Sequence, residues 1–451
     1  MQNRAIQSRF PPGSVFKIIM TIAGLQEGIL TEAGAQQIAT RYNLDKLGKE
    51  SSSLLAAVIF TLGGLLLGGG LISFVAANWE GIPTFVQVAL LFIILLAFHL
   101  GGYWLWHTKG WSRLGHALVF TGSLVFGANI GLMAQIFHVS GDWYNGFGAW
   151  ALGSLVMAYA ARSWITGLLA LFTSVIWFQG ISSDQPGAWM IAVPLALAAA
   201  FLPLAWQLGS RVLYVATLAG VTFTLCSLAA ERYSDGRYVL ATMIVGGFVM
   251  WAVGEFHRVK NIRPEFGNPA AALGILILAG SAYVWSFHWW WEFHDWVTRS
   301  ADTPGMKFFW ALPTVVIAII GLFLVAQMMR QINASGSRKL MIFGLSLASA
   351  ILIVCALIGG ARRGDVVALT ISVNVAAFII AAVAIAIGVM DERRIAFWAG
   401  TLFTVLLILS RFLEYETSLL TKSAAFTLCG VAMIVAGIRY ENHLRHKEAI
   451  V

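Results

Sequence analysis

Charge is what this sequence has least of. Asp, Glu, Lys and Arg make up 11% of its 451 residues, against roughly a quarter in soluble domains, which excludes an ordinary water-soluble chain. Apolar side chains fill the gap: 59% of residues are hydrophobic and the mean hydropathy is +0.79. Cysteine is equally scarce. Cys226, Cys355 and Cys429 lie far apart within apolar runs, which excludes a disulfide framework and CxxC metal spacing and makes them small core residues. A G-x-x-x-x-G-K-[ST] loop is missing, so nucleotide-driven work would need a partner protein. The first 50 residues also lack a basic, apolar, then small pattern, so no cleaved signal peptide is expected and the first span should direct its own insertion.

In place of these stands a succession of apolar runs from Leu54 onward, each near the about 20 residues that a bilayer asks of a helix. Fourteen spans are predicted: 54–76, 82–104, 115–137, 146–161, 164–180, 188–207, 211–230, 237–255, 269–290, 308–329, 340–359, 366–390, 395–412 and 423–439. The expected fold is all-α, a polytopic transmembrane helix bundle over 54–439, with a cytoplasmic tail at 440–451. With a cytoplasmic N-terminus, the inner segments hold 21 Lys and Arg and the outer ones the remaining 8 of 29, the asymmetry of the positive-inside rule. The formal charge of +8 then follows from topology, and no nucleic-acid partner is expected. This reading puts the chain in a bacterial inner membrane with both termini cytoplasmic.

Trp79, Trp104, Trp106, Trp111, Trp143 and Trp289 to Trp291 cluster at predicted span ends, where an indole sits at headgroup level. Gly64 and Gly68 have small-xxx-small spacing, which lets helix backbones approach. No ionisable group falls near a predicted span centre. His99, Gln327 and Asn374 are the main polar interruptions, and each can bond to a neighbouring helix. The densest polar cluster is Asn129, Gln135, His138, Ser140, Asp142, Trp143 and Tyr144. There Asn129, Gln135 and His138 fall on neighbouring turns, and Asp142 can reach back to fix the imidazole tautomer. The cluster reads either as a hydrogen-bonded cap where a helix leaves the bilayer or as a headgroup or small-solute site, so Asn129, Gln135, His138, Asp142 and Trp143 are the binding candidates. HWWWEFHDW brings His288, Glu292, His294 and Asp295 to another loop, but at loose spacing for a metal. No metal or cofactor is implied. Membrane lipids are the expected partners, with envelope proteins as further candidates.

Two stretches resemble known families. NRAIQSRFPPGSVFKII, with Ser14-Val15-Phe16-Lys17 in S-x-x-K register, resembles the active-site segment of class B penicillin-binding proteins, the peptidoglycan transpeptidases. The resemblance implies acyl-serine chemistry, with Lys17 taking the Ser14 proton from the same helix face. Such enzymes also carry S-x-N and K-T-G motifs. Here Ser372-Val373-Asn374 sits inside an apolar span and Lys422-Ser423-Ala424 lacks the glycine, so residues 1–30 read as a fragment without a cleft or oxyanion hole. The same residues read physically as a helix start: Pro11 and Pro12 precede it, Ser14 lies near the N-cap, Val15 to Leu25 is apolar and Gly28 breaks it. With TEAGAQQIATRYNLDKLGKE as a second helix, residues 13–50 make a cytoplasmic helical hairpin, the head of 25–53. From about residue 25 to 160 and onward, the chain resembles the bacterial polytopic membrane proteins grouped as domain of unknown function 2157. LQEGILTEAGAQQIATRYNL, FVAANWEGIP and GANIGLMAQIFHVSGDWYNGFGAWALGSL carry that resemblance, and the join is expected between Met20 and Thr31. This family implies an architecture and no activity. The expected role is therefore non-enzymatic and envelope-related, with a lipid or small-solute translocator, or an acyl-serine enzyme built on Ser14 and Lys17, as alternatives.

Overall fold

The computed structural model describes residues 81–184, 187–233, 236–293, 304–331, 336–358, 366–414 and 418–448, with single positions between Ile59 and Ser73. Ser14, Lys17, the N-terminal hairpin, Gly64 and Gly68 lie outside the described residues. Those described form fourteen α-helices and no strand. They are α1 (Thr84–His107), α2 (Ser112–Ile136), α3 (Trp143–Ala160), α4 (Trp164–Asp184), α5 (Ala192–Leu208), α6 (Arg211–Tyr233) and α7 (Gly236–Lys260). Then come α8 (Pro264–Trp285), α9 (His288–Phe293), α10 (Pro304–Gln331), α11 (Gly336–Ile358), α12 (Val366–Met390), α13 (Arg394–Glu414) and α14 (Leu419–Glu448). Among the described residues, twelve helices are long and apolar enough to cross a membrane. The protein is an all-α, multi-pass membrane protein. Of the long helices α3 alone falls outside those twelve, because Trp143, Tyr144 and Asn145 load its first turn with polar atoms. Its 18 residues still extend about 27 Å at 1.5 Å each.

The chain divides between Val139 and Ser140 into two compact units. In the first, α1 and α2 form a hairpin whose turn is closed by Gly110 at φ +72°. A Cβ on Gly102 would stand 2.8 Å from the Gly115 carbonyl, and one on Gly115 would stand 2.6 Å from the Gly102 carbonyl. Only glycine permits that backbone approach.

In the second unit the helices alternate in direction, and α7 and α8 pack most intimately. Gly247 and Gly254 on α7 meet Gly274 and Gly267 on α8, each pair spaced by seven residues. Two helical turns separate such residues, so both pairs lie on one seam. A Cβ on Gly274 would lie 2.4 Å from the Trp251 nitrogen and one on Gly254 2.4 Å from the Ala271 nitrogen. Around this seam Ile244, Phe248, Trp251, Leu278, Leu345, Leu352, Val373, Ile380 and Leu407 form a continuous buried core drawn from α7, α8 and α11 to α13. A second core joins α3 to α8 through Phe178, Phe201, Leu213 and Phe266. Serine and threonine enter these cores by bonding their own helix one turn back, as Ser349 does to Leu345 (2.7 Å) and Thr217 to Leu213 (2.7 Å).

The predicted run 269–290 departs from the structure at both ends. α8 begins earlier, with Pro264 in its first turn, and ends at Trp285, before the short α9. At the break, the Ser286 hydroxyl donates to the Tyr283 carbonyl (2.6 Å) and the Trp291 indole donates to the Trp285 carbonyl (2.8 Å). Those bonds satisfy carbonyls that a continuing helix would have used.

Candidate functional site at the helix ends

The residues of the predicted cluster are divided between the two units. Asn129 is buried, and its amide donates to the Leu91 carbonyl at 2.9 Å, tying α2 to α1. Gln135 and His138 are exposed, and His138 takes a left-handed backbone at φ 47°. Both belong to the first unit. Asp142 and Trp143, also exposed, belong to the second.

Asp142 takes part in a cluster that reaches much further along the chain. The Tyr144 side chain is buried against Gly180, where a Cβ would fall 2.3 Å from Tyr144 Cβ. Its hydroxyl lies 2.8 Å from Asp142 Oδ2 and 2.7 Å from Asp184 Oδ2. A phenol carries one hydrogen, so the two carboxylates either split it between them or one brings a proton of its own. Immediately before Asp184 on α4, Ser182 and Ser183 donate to Glu231 Oε1 at 2.7 and 3.2 Å. Glu231 Oε2 and Gln179 Oε1 are buried without a hydrogen-bond partner among the described residues.

At the same end of the second unit, Arg411 of α13 holds the α8 break. Its guanidinium donates to the Ser286 carbonyl, to Ser286 Oγ (3.1 Å) and to Glu414, and it lies 4.3 Å from the centre of the Phe287 ring. Glu414 accepts from the His288 backbone N–H. Asn374 of α12 donates to the Ser286 carbonyl (3.0 Å) and to Thr370 (2.8 Å). The span interruption Asn374 thus bonds to a neighbouring helix, as its residue type suggested. The two charges of this network pair with each other, as suits a joint, while Arg411 Nε is buried without a hydrogen-bond partner among the described residues.

The opposite end of the unit is basic, with Arg162, Arg211, Lys260, Arg263, Arg338 and Arg394 among its residues. There the buried Glu255 pairs with Arg258. His257 fits between the Tyr214 hydroxyl (2.9 Å to Nε2) and the Ile262 carbonyl (2.6 Å to Nδ1). The carbonyl can only accept, so Nδ1 carries a hydrogen, and the second bond lies between Nε2 and the Tyr214 hydroxyl.

Reading for charges at span centres missed Glu231, Glu255, Arg411 and Glu414, because each lies within a turn or two of a helix end. The rarity of charge was itself the usable signal: Glu255, Arg411 and Glu414 are among the few ionisable residues inside apolar helices. No group of three or more His, Cys, Asp or Glu able to hold a metal occurs among the described residues.

No curated protein and no solved structure matches the chain. The model of the penicillin binding protein transpeptidase domain matches residues 1–45. That match overlaps the next one over 25–45, a wider join than Met20 to Thr31. Residues 25–167, which contain α1, α2 and α3, match the family described as predicted membrane protein (DUF2157), and over that stretch the chain is similar to that family.

Proposed function

We propose that this protein is a non-catalytic component of the bacterial inner membrane, with both termini in the cytoplasm and a structural or scaffolding role in the cell envelope. One observation carries the reading. In the second unit the described ionisable groups gather at the two helix ends, and between them runs the apolar core of Ile244, Trp251, Leu278, Leu345 and Ile380. An ion-coupled carrier keeps ionisable side chains at membrane depth because its cargo must be relayed there. Support for the orientation comes from the basic end, which belongs in the cytoplasm by the positive-inside rule. A lipid or small-solute translocator is the rival, and it requires water between the helices.

Cysteine accessibility tests this. In a cysteine-free background, Ala348→Cys on α11 and Ala377→Cys on α12 place thiols at positions that are 0% exposed. In native membranes a membrane-impermeant maleimide should modify neither, while a Gly141→Cys control in an exposed connection reacts fully. Modification of either core thiol at a rate near the control would overturn the scaffold and establish a hydrated pathway.

A further inference from the structure

We propose that Tyr144, Asp142 and Asp184 form a proton-operated latch, which ties the start of α3 to the end of α4 and closes fully only when the cluster takes up one proton from solvent. The contacts outnumber the hydrogens available to make them. The Tyr144 hydroxyl oxygen lies 2.8 Å from Asp142 Oδ2 and 2.7 Å from Asp184 Oδ2, both ordinary hydrogen-bond lengths. A phenol supplies one hydrogen and an ionised carboxylate supplies none. With both carboxylates ionised, one of the two contacts therefore sets a negative oxygen against a phenol lone pair. One further hydrogen on either carboxyl group turns that contact into a second bond. The carboxyl O–H then donates to the phenol oxygen while the phenol O–H donates to the other carboxylate.

No neighbouring cation takes the place of that proton. Between Asp142 and Asp184 the one basic residue is Arg162, in the turn that joins the far ends of α3 and α4. Among the described residues neither carboxylate has an ion pair. The titratable groups around the phenol are Asp142 from the connection before α3, Asp184 from the end of α4 and, through Ser182 and Ser183, Glu231 of α6. All are acidic. The ring cannot back away from them, because Tyr144 is 2% exposed and rests on Gly180. Asp142, exposed in its connection, is the arm that can leave. Closing therefore binds a proton and opening releases it, so the ratio of closed to open latch changes by up to about tenfold per pH unit, towards closed as the pH falls.

Melting temperatures of the full chain in neutral detergent, at about pH 5 and about pH 8, test the latch; at both a phenol keeps its hydrogen, its ordinary pKa being about 10. Near the higher pH, Asp142→Asn should melt above wild type, because the carboxamide N–H donates to the phenol oxygen with no proton needed. Near the lower pH that gap should close. Tyr144→Phe, which keeps the ring on Gly180 and removes the shared oxygen, should respond to pH as Asp142→Asn does and gain nothing at the higher value. Asp142→Asn melting below wild type at both pH values would overturn the proposal, by showing that the fold uses the ionised carboxylate. A gap of the same size at both values, or no gap at either, would overturn it too, since the proton would then have no part. So would calcium chloride, set against choline chloride at matched ionic strength, raising wild type at the higher pH to the level of Asp142→Asn, which would make the cluster a cation site.

Discussion

Replacing Arg411 by leucine should destabilise the protein through the carboxylate it leaves behind. Glu414 has a side chain only 8% exposed, and without Arg411 it would retain, among the described residues, the His288 N–H as its one partner. The groups on the other side of the guanidinium are better insured. The Ser286 carbonyl keeps the Asn374 amide at 3.0 Å, and the Ser286 hydroxyl still donates to Tyr283. Loss of the two bonds to Ser286 should therefore cost about 1 kcal/mol each at most, whereas an uncompensated buried charge costs about 3 to 5 kcal/mol. Because Arg411 is itself 18% exposed, the lower end of that range applies. Arg411→Leu should then lose about 3 kcal/mol, and adding Glu414→Gln should return the deficit to about 1 to 2 kcal/mol. Unfolding free energies from titration with a denaturing detergent would measure both. A double variant as unstable as Arg411→Leu, or less stable, would refute the reasoning and assign the effect to lost packing on Phe287.

Gly274→Val should lower stability by about 1 to 3 kcal/mol or more by forcing α7 and α8 apart. Gly280→Val on the same helix, where nothing lies within 4 Å of the added Cβ, should be close to neutral, and equal melting temperatures for the two would remove the glycine seam. His138→Gly should raise stability by up to about 1 kcal/mol, since glycine adopts φ 47° without strain. A fall of about 1 to 3 kcal/mol instead would mean that the imidazole satisfies a buried partner. A fluorescent protein fused after Val451 should mature and glow if the basic end faces the cytoplasm, and a dark fusion would reverse the orientation.

How far the sequence could be read depended on what each feature needed to form. Spans require only a long apolar run, so 366–390 was read at both ends as α12 forms it. Helix ends are less legible, because a basic residue can stay helical while its charge reaches water. Thus α7 continues past Glu255 through His257 and Arg258 to Lys260. The glycine seam was present in the sequence as two seven-residue spacings in adjacent spans, Gly247 with Gly254 and Gly267 with Gly274.

The polar groups divide by a similar criterion. A buried serine or threonine can bond its own helix carbonyl, so its position says little about which helices meet. An amide, a guanidinium or a carboxylate is too rich in donors or acceptors to be satisfied by its own helix backbone alone and needs a further partner, often across the bundle. Asn129 finds Leu91, Asn374 finds Ser286, and Tyr144 gathers Asp142 and, from 40 residues further along the chain, Asp184. Such residues are therefore the places in an apolar sequence where tertiary contacts are dictated but not named. Asp142 was readable as a residue that needed a partner, and which partner it took depended on Gly180 opening a place for the Tyr144 ring. That dependence makes the site testable from a residue with no polar atom in its side chain: Gly180→Ala should displace Tyr144 and separate Asp142 from Asp184 together.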